Sequence, residues 1–234
     1  VEMLIIVPIV RLTVAALIVG ITALTSDSLQ IRAKAERTYQ MQAGLDIIEK
    51  NIVKTMTFPA SITPTVGYKQ GSDNADTAFT AAASGSGTTS VLIVQLPATD
   101  KSPLNSSRTI LYATGGTLNT CASGKATTNP VYPVSYIYFV SNGTLYERTI
   151  ITINGQSYTA ARGCAGTTET DVWQRGTCAS GYTSSGCKGD DVIVASNVST
   201  FALSYQDKAG VAVGRASATG ILLTLTTTQS IAGQ

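Results

Sequence analysis

The sequence of 234 residues contains no histidine. Ser-His-Asp and Cys-His mechanisms need an imidazole, so this absence excludes both, together with zinc sites built on imidazole ligands. No other pattern of catalytic or ligand-binding residues takes their place. The sequence therefore predicts a protein that is not an enzyme and that binds no cofactor or metal.

Charge is also scarce. Only 13% of the residues are charged, and the net charge is +2. Proteins that bind nucleic acids usually concentrate lysine and arginine on one surface, and this chain has too few basic residues for such a field. We therefore expect no specific nucleic-acid partner.

Cysteine is limited to four residues, all in the carboxyl-terminal two thirds of the chain: Cys121, Cys164, Cys178 and Cys187. No two of them form a close C-x-x-C pair, which disfavours a zinc site made of thiolates. An even count in an exported chain predicts two disulfides. Connectivity cannot be deduced from sequence; among the alternatives we favour Cys178 with Cys187 and Cys121 with Cys164.

The longest apolar run is VEMLIIVPIVRLTVAALIVGITAL, residues 1–24. As a helix it would be about 36 Å long, enough to cross the hydrocarbon core of a bilayer. A secretory signal peptide has a positive start, a shorter apolar centre and a small-residue cleavage site. This run begins beside an acid and continues into a polar helical pattern, which predicts a segment retained in the mature protein.

Three residues interrupt this run, namely Glu2, Pro8 and Arg11. On an ideal helix Glu2 and Arg11 lie on opposite faces, so they cannot pair within one chain. Partners on neighbouring copies would neutralise both charges during assembly. The alternative is that Glu2 lies at the membrane interface and Arg11 snorkels to the head groups. Pro8 predicts local bending that assembly uses, or else an ordinary kink in lipid.

The opening V-E-M-L-I, followed by a long apolar helix that becomes amphipathic, resembles the amino terminus of type IV pilins and pseudopilins. Glu2 matches the glutamate of that family's motif, and Val1, Met3 and Leu4 match its flanks. The resemblance implies that Glu2 contacts the amino terminus of an adjacent subunit. It also implies a prepilin peptidase and a pilus assembly machinery as partners.

After residue 24 the pattern becomes that of an amphipathic helix. Apolar residues recur at spacings of three and four and form one stripe, made of Met41, Leu45, Ile48, Ile52 and Met56. Such a stripe is more typical of core packing than of a binding groove. The residue before a proline is disfavoured in a helix, so Phe58-Pro59 predicts the helix end and one helix over residues 1–56.

The remainder has the periodicity of strands. We predict them at 91–96, 108–113, 134–140, 144–153, 192–195, 200–206 and 220–228. Ser141-Asn142-Gly143 predicts a tight hairpin turn, because Asn and Gly accept left-handed backbone. The alternation of Thr and Tyr with aliphatic residues predicts a mainly antiparallel sheet with one face in water. The segment ASNVSTFALSYQDKAG is loosely similar to the carboxyl-terminal region of minor pilins and pseudopilins.

The connection at 154–191 carries the only tryptophan, Trp173. We interpret Trp173 as the hydrophobic plug of that loop rather than as a platform for a ligand. Asp190 and Asp191 are interpreted as a solvated acidic turn, with a calcium site as the alternative. Asn-x-Ser/Thr sequons mark possible glycosylation at Asn105, Asn142 and Asn197.

These patterns together predict an α+β protein with a long amino-terminal helix, transmembrane in its first half and amphipathic in its second. The helix packs on an antiparallel head with a disulfide-bearing loop region. The segments are a membrane or filament-core helix at 1–24, its amphipathic continuation at 25–56 and a β-rich head at 57–234. The resemblance implies a major subunit of a type IV pilus-like filament at the cell surface, a homopolymer with a membrane-anchored precursor. The alternatives are a minor pilin or pseudopilin, or a monomeric membrane-anchored adhesin.

Overall fold

The computed structural model describes residues 2–62, 79–82, 90–114, 131–151, 159–161, 172–181 and 188–228, with helix side chains described from residue 14 onward. The chain divides into two compact units, 1–43 and 44–234. The described elements are one long helix, twelve strands and one 3₁₀ turn. In chain order they are α1 (Glu2–Val53), β1 (Ser61–Ile62), β2 (Phe79–Thr80), β3 (Val91–Pro97), β4 (Tyr112–Thr114), β5 (Pro133–Ser141), β6 (Thr144–Ile150), β7 (Thr159–Ala161), β8 (Thr177–Cys178), β9 (Gly189–Asp190), β10 (Val192–Ala195), β11 (Val198–Gln206), the 3₁₀ turn (Arg215–Ser217) and β12 (Gly220–Thr227).

The first unit is helical from Glu2 onward, and the helix assignment continues through Pro8 and Gly20. From Val14 it is long and apolar enough to cross a membrane, judged by length and composition, since it contains an 18-residue stretch with a mean hydropathy of 1.6. The prediction of a membrane-capable amino-terminal helix is confirmed at that level.

The helix ends at Val53, three residues before the predicted end. The backbone N–H of Thr55 donates to the carbonyl of Ile52, and that of Met56 donates to the carbonyl of Gln95 at 2.7 Å. The chain therefore leaves the helix because the edge of β3 offers unpaired backbone groups. Met56, predicted to continue the apolar stripe, instead lies beyond the helix and is 45% exposed.

The central sheet is antiparallel with strand order β10-β6-β5-β3. Asn142 and Gly143 form the two-residue turn between β5 and β6, both with positive φ (49° and 71°). This is the backbone of a type I′ hairpin turn, whose twist matches that of its strands. The predicted hairpin is confirmed.

Other predicted strands differ at their boundaries. Within 108–113 the structure has only an isolated bridge at Ile110 and then β4, and β6 ends at Ile150 instead of continuing to residue 153. The strands β11 and β12 form a separate two-stranded antiparallel sheet, and β8 pairs with β9 in parallel. The class, α+β with a helix on antiparallel sheets, agrees with the prediction.

The central sheet is covered on both faces, so the prediction of one wet face is wrong for this sheet, whereas burial alternates along β11 and β12 as predicted. On one face Leu92 and Val94 pack with Ile48 of the helix and Phe201 of β11. On the other face Ile93, Ile137 and Phe139 pack with Phe79 and Cys178. The uniformly apolar run of β3 is typical of a strand that is buried on both faces.

The last turns of α1, from Gly44, pack against the head. Ile48 is fully buried in the main core, and Ile52 packs at its edge. Gly44 allows close approach of the backbones, because a Cβ added there would lie 2.5 Å from the carbonyl oxygen of Val194 in β10. Real Cβ atoms do not tolerate that distance, so Gly44 sets how closely this part of the helix lies on the sheet.

We predict that Gly44→Ala destabilises the head by about 1–3 kcal/mol, the usual cost of overpacking a well-filled site. Urea unfolding of the full-length protein in detergent measures this change. Gly20→Ala is the matched control in the same helix, since an added Cβ meets no atom within 4 Å there. Equal stability of the two variants would contradict the close-packing role of Gly44.

Candidate functional site

The apolar surface of α1 is the first candidate site. Between Val14 and Ile31 the large apolar side chains are at least half exposed, for example Leu17 at 64% and Leu24 at 72%. Soluble monomers rarely present apolar surface of this extent unless another apolar phase or another protein covers it. By length and composition this surface is apolar enough to lie in a membrane.

Two threonines of this surface, Thr22 and Thr25, are satisfied within the helix. The Thr22 hydroxyl donates to the carbonyls of Ile18 (3.0 Å) and Val19 (2.9 Å), and the Thr25 hydroxyl donates to those of Ile21 and Thr22. A hydroxyl moved into an apolar medium without a partner costs several kcal/mol, roughly 2–7 by reference state. These bonds remove that cost, so both threonines are compatible with lipid or a helix bundle.

Glu2, Pro8 and Arg11 belong to the helical backbone, but their side chains lie outside the described residues. The pairing of the two charges with neighbouring copies and the role of Pro8 therefore stay predictions.

A buried polar cluster joins the last turn of α1 to the central sheet. The Tyr138 hydroxyl donates to Oε2 of Glu147 at 2.7 Å. The Asn51 amide donates to the Tyr138 oxygen at 2.7 Å and to the same Glu147 oxygen at 3.2 Å. Asn51 thereby links helix, β5 and β6 through one carboxylate.

Burial dominates the electrostatics of this cluster. It raises the pKa of Glu147, although the hydrogen bonds from Tyr138 and Asn51 act in the opposite direction. Burial, and secondly the Glu147 charge, raises the pKa of Tyr138 and of Tyr136. Glu147 has no ion-pair partner among the described residues. Tyr138 and Glu147 are buried and Asn51 is half-buried, so the cluster is suited to attach the end of the helix to the sheet.

We predict that Glu147→Gln makes the stability of the head less dependent on pH. A carboxyl group whose pKa is raised by folding stabilises the folded state most at pH values below its unfolded-state pKa. This stabilisation is lost as the pH rises through the raised folded-state pKa. As the pH rises above 4.5, the ordinary pKa of glutamate, the stability of the Glu147→Gln variant should therefore increase relative to that of the wild type. Thermal unfolding of both proteins as a function of pH measures it, and parallel curves would contradict the assigned cause.

A second buried pair joins β6 to the turn before β10. Arg148 is fully buried and Asp191 is 4% exposed, with 2.6 Å between Nη2 and Oδ2. The Arg148 guanidinium also lies 5.5 Å from the ring centroid of Phe79 and 5.2 Å from that of Phe139. The interpretation of Asp190 and Asp191 as a solvated turn is thus wrong for Asp191, because a buried cation needs its carboxylate.

We predict that Asp191→Ala destabilises the head by about 3–5 kcal/mol, since it leaves Arg148 buried without its carboxylate. Asp190→Ala is the adjacent control, because Asp190 is exposed and, among the described residues, its carboxylate accepts a hydrogen bond from Ser180. We expect this control to stay within about 0.5 kcal/mol of wild type. Urea unfolding measures both, and similar losses would contradict the assigned pair.

These residues were not predicted as a site. Glu147 and Arg148 are consecutive charges inside a strand, and consecutive strand residues point to opposite faces. That pattern was a signal that each face of the sheet carries a buried charge with its own partner.

The interpretation of Trp173 as the hydrophobic plug of its loop is wrong, because its side chain is 44% exposed. Its neighbour Gln174 is buried instead, and the Gln174 Oε1 accepts a hydrogen bond from the Thr99 backbone N–H at 3.1 Å. Cys178 is fully buried and carries no free thiol. Cys121, Cys164 and Cys187 lie outside the described residues, so the predicted connectivity stays a prediction.

The three sequon asparagines, Asn105, Asn142 and Asn197, are exposed. Asn142 and Asn197 have positive φ, as expected of turn residues. Their glycosylation stays a prediction. Within the described ranges no group of three or more acidic or cysteine side chains is placed to hold a metal ion.

Comparison with known proteins found no matching family model, no matching curated protein and no matching solved structure.

Proposed function

We propose that this protein is a structural subunit, and specifically the major subunit, of an extracellular type IV pilus-like filament. Its helix anchors the precursor in the membrane and then packs with copies of itself in the filament core. The β-rich head forms the outer wall. The observation that carries this proposal is the exposed apolar surface of α1 from Val14 to Ile31.

A single membrane anchor also needs an apolar helix, so the charges near its start favour assembly. Lipid tails are as apolar as leucine, and moving a helix from lipid into a bundle therefore gains little hydrophobic free energy. A charge near the bilayer centre costs on the order of 3 kcal/mol on insertion scales. Neutralising Glu2 and Arg11 against neighbouring copies would make the bundle more favourable than the separate monomers.

The attachment of residues 44–53 to the head supports the same function. Gly44 brings the helix backbone close to β10, and Asn51 ties the last helical turn to Tyr138 and Glu147. In the proposed filament the packed helices form the core and carry the tension. A head fastened by close packing and buried hydrogen bonds would stay attached when the helix is pulled.

The alternatives differ in where the protein is found. A major subunit should dominate filaments sheared from the cell surface. A minor pilin or pseudopilin should be scarce in them, and a monomeric membrane-anchored adhesin should stay in the membrane fraction. Electron microscopy of the sheared material, with quantification of this chain, separates the three.

We predict that Glu2→Lys abolishes filament assembly, because the variant replaces the acid that pairs with the amino terminus of the neighbouring subunit by a repelling cation. The measurement is the filament yield after shearing, together with the amount of protein in the membrane. The head should remain folded, with an unchanged urea midpoint.

Asp190→Lys is the control for this change of charge, since Asp190 is exposed on the head. It should assemble normally. Wild-type filament yield from Glu2→Lys would rule out the role given to Glu2.

A further inference from the structure

A cavity of about 580 Å³ lies between the end of α1 and the 3₁₀ turn that precedes β12. Its described lining combines apolar and polar side chains: Ile52, Met56, Phe58 and Ile221, with Thr55, Thr57 and Thr219. Among these described lining residues Arg215 is the only charged one. The volume is within the range of roughly 300–1,000 Å³ that is usual for sites binding small molecules. All of these residues belong to the head unit.

Arg215 has no polar partner within the described part of the head. Its side chain is half-buried, and it makes no hydrogen bond or ion pair with any described residue. A guanidinium that loses contact with water generally gains hydrogen bonds or a carboxylate in return. Arg215 is therefore a partly exposed cation at the cavity wall with no carboxylate partner among the described residues.

Tyr205 provides a second unsatisfied group behind the same wall. Its side chain is fully buried, and its hydroxyl finds no hydrogen-bond partner among the described residues. Its ring makes an edge contact with Phe58 at 5.9 Å between centroids, and it is paired across the sheet with Ile221. A buried hydroxyl without a partner is unusual and points to an unoccupied position.

The two groups are electrostatically coupled. Burial raises the pKa of the Tyr205 phenol, and the nearby positive charge of Arg215 acts in the opposite direction. Arg215 therefore lines the cavity, and the Tyr205 phenol is buried behind its wall, next to the lining residues Phe58 and Ile221.

We infer that this cavity binds a carboxylate carried on a short aliphatic chain. The carboxylate accepts hydrogen bonds from the guanidinium of Arg215. With a small shift of the Tyr205 side chain, it also accepts one from the Tyr205 hydroxyl. The aliphatic chain lies along Met56, Phe58 and Ile221. This inference is independent of filament assembly.

The chemistry of the cavity favours a carboxylate over a phosphate. The planar guanidinium matches the two oxygens of a carboxylate, and one cation balances its single charge. A phosphate carries more charge and more acceptor oxygens than Arg215 and one phenol satisfy. The exposed Met56 and Val53 at the rim favour a ligand with an apolar body.

Calorimetric titration of the full-length protein in detergent tests the site, with hexanoate as the probe. Hexan-1-ol supplies the same chain without the charge, and inorganic phosphate supplies an anion without the chain. We expect hexanoate to bind more tightly than either. Arg215→Gln should weaken hexanoate binding by about tenfold or more, and Tyr205→Phe by about threefold, as expected for charged and neutral hydrogen bonds.

Lys208→Gln is the matched control, because Lys208 is an exposed cation on the neighbouring turn and does not line the cavity. It should leave hexanoate affinity unchanged, and it also corrects for partitioning of the probe into detergent. Equal affinity in Arg215→Gln and wild type would overturn the site. Equal binding of hexan-1-ol, or tighter binding of phosphate, would overturn the assignment to a carboxylate. Unchanged affinity in Tyr205→Phe would overturn the two-donor arrangement.

Discussion

The apolar surface of α1 is the constraint on which the rest of this protein depends. Side chains such as Leu17 and Leu24 are mostly exposed, and the hydroxyls of Thr22 and Thr25 bond to the carbonyls of their own helix. A surface of this kind is stable in lipid or against other helices, and costly in water. Membrane insertion and polymerisation are two ways of meeting the same requirement, and the proposed filament subunit uses them in succession.

The end of the same helix meets a different requirement. From Gly44 onward it has to hold a head whose sheet is buried on both faces. Close packing of Gly44 against Val194 and the hydrogen bonds of Asn51 attach the helix to one face of the sheet. On the opposite face, Asp191 neutralises the buried charge of Arg148. Burying a charge is tolerated only with a partner. The head therefore depends on a few polar contacts that stand among many apolar ones.

Local patterns predicted much of this fold. The hairpin at Asn142 and Gly143 followed from residues that accept left-handed backbone, and Ile48 followed from helical periodicity. The patterns failed where a distant segment decided the outcome. The helix ended at Val53 because β3 offered an edge, and Asp191 was buried because Arg148 required a carboxylate. Neither partner is near in sequence, so no local pattern carries that information.

The sequence by itself determined an apolar helix suited to a membrane, an antiparallel β-rich head and the position of the hairpin turn at Asn142-Gly143. These depend on backbone preference and on the periodicity of apolar residues, which act over a few neighbours. Only the tertiary structure decided which polar groups are buried and which of them are paired, and that Arg215 lines a cavity while the Tyr205 hydroxyl is buried without a partner in the described part of the head. The reason is physical: desolvation and pairing depend on what surrounds a side chain in three dimensions, and those surroundings are assembled from segments far apart in the chain.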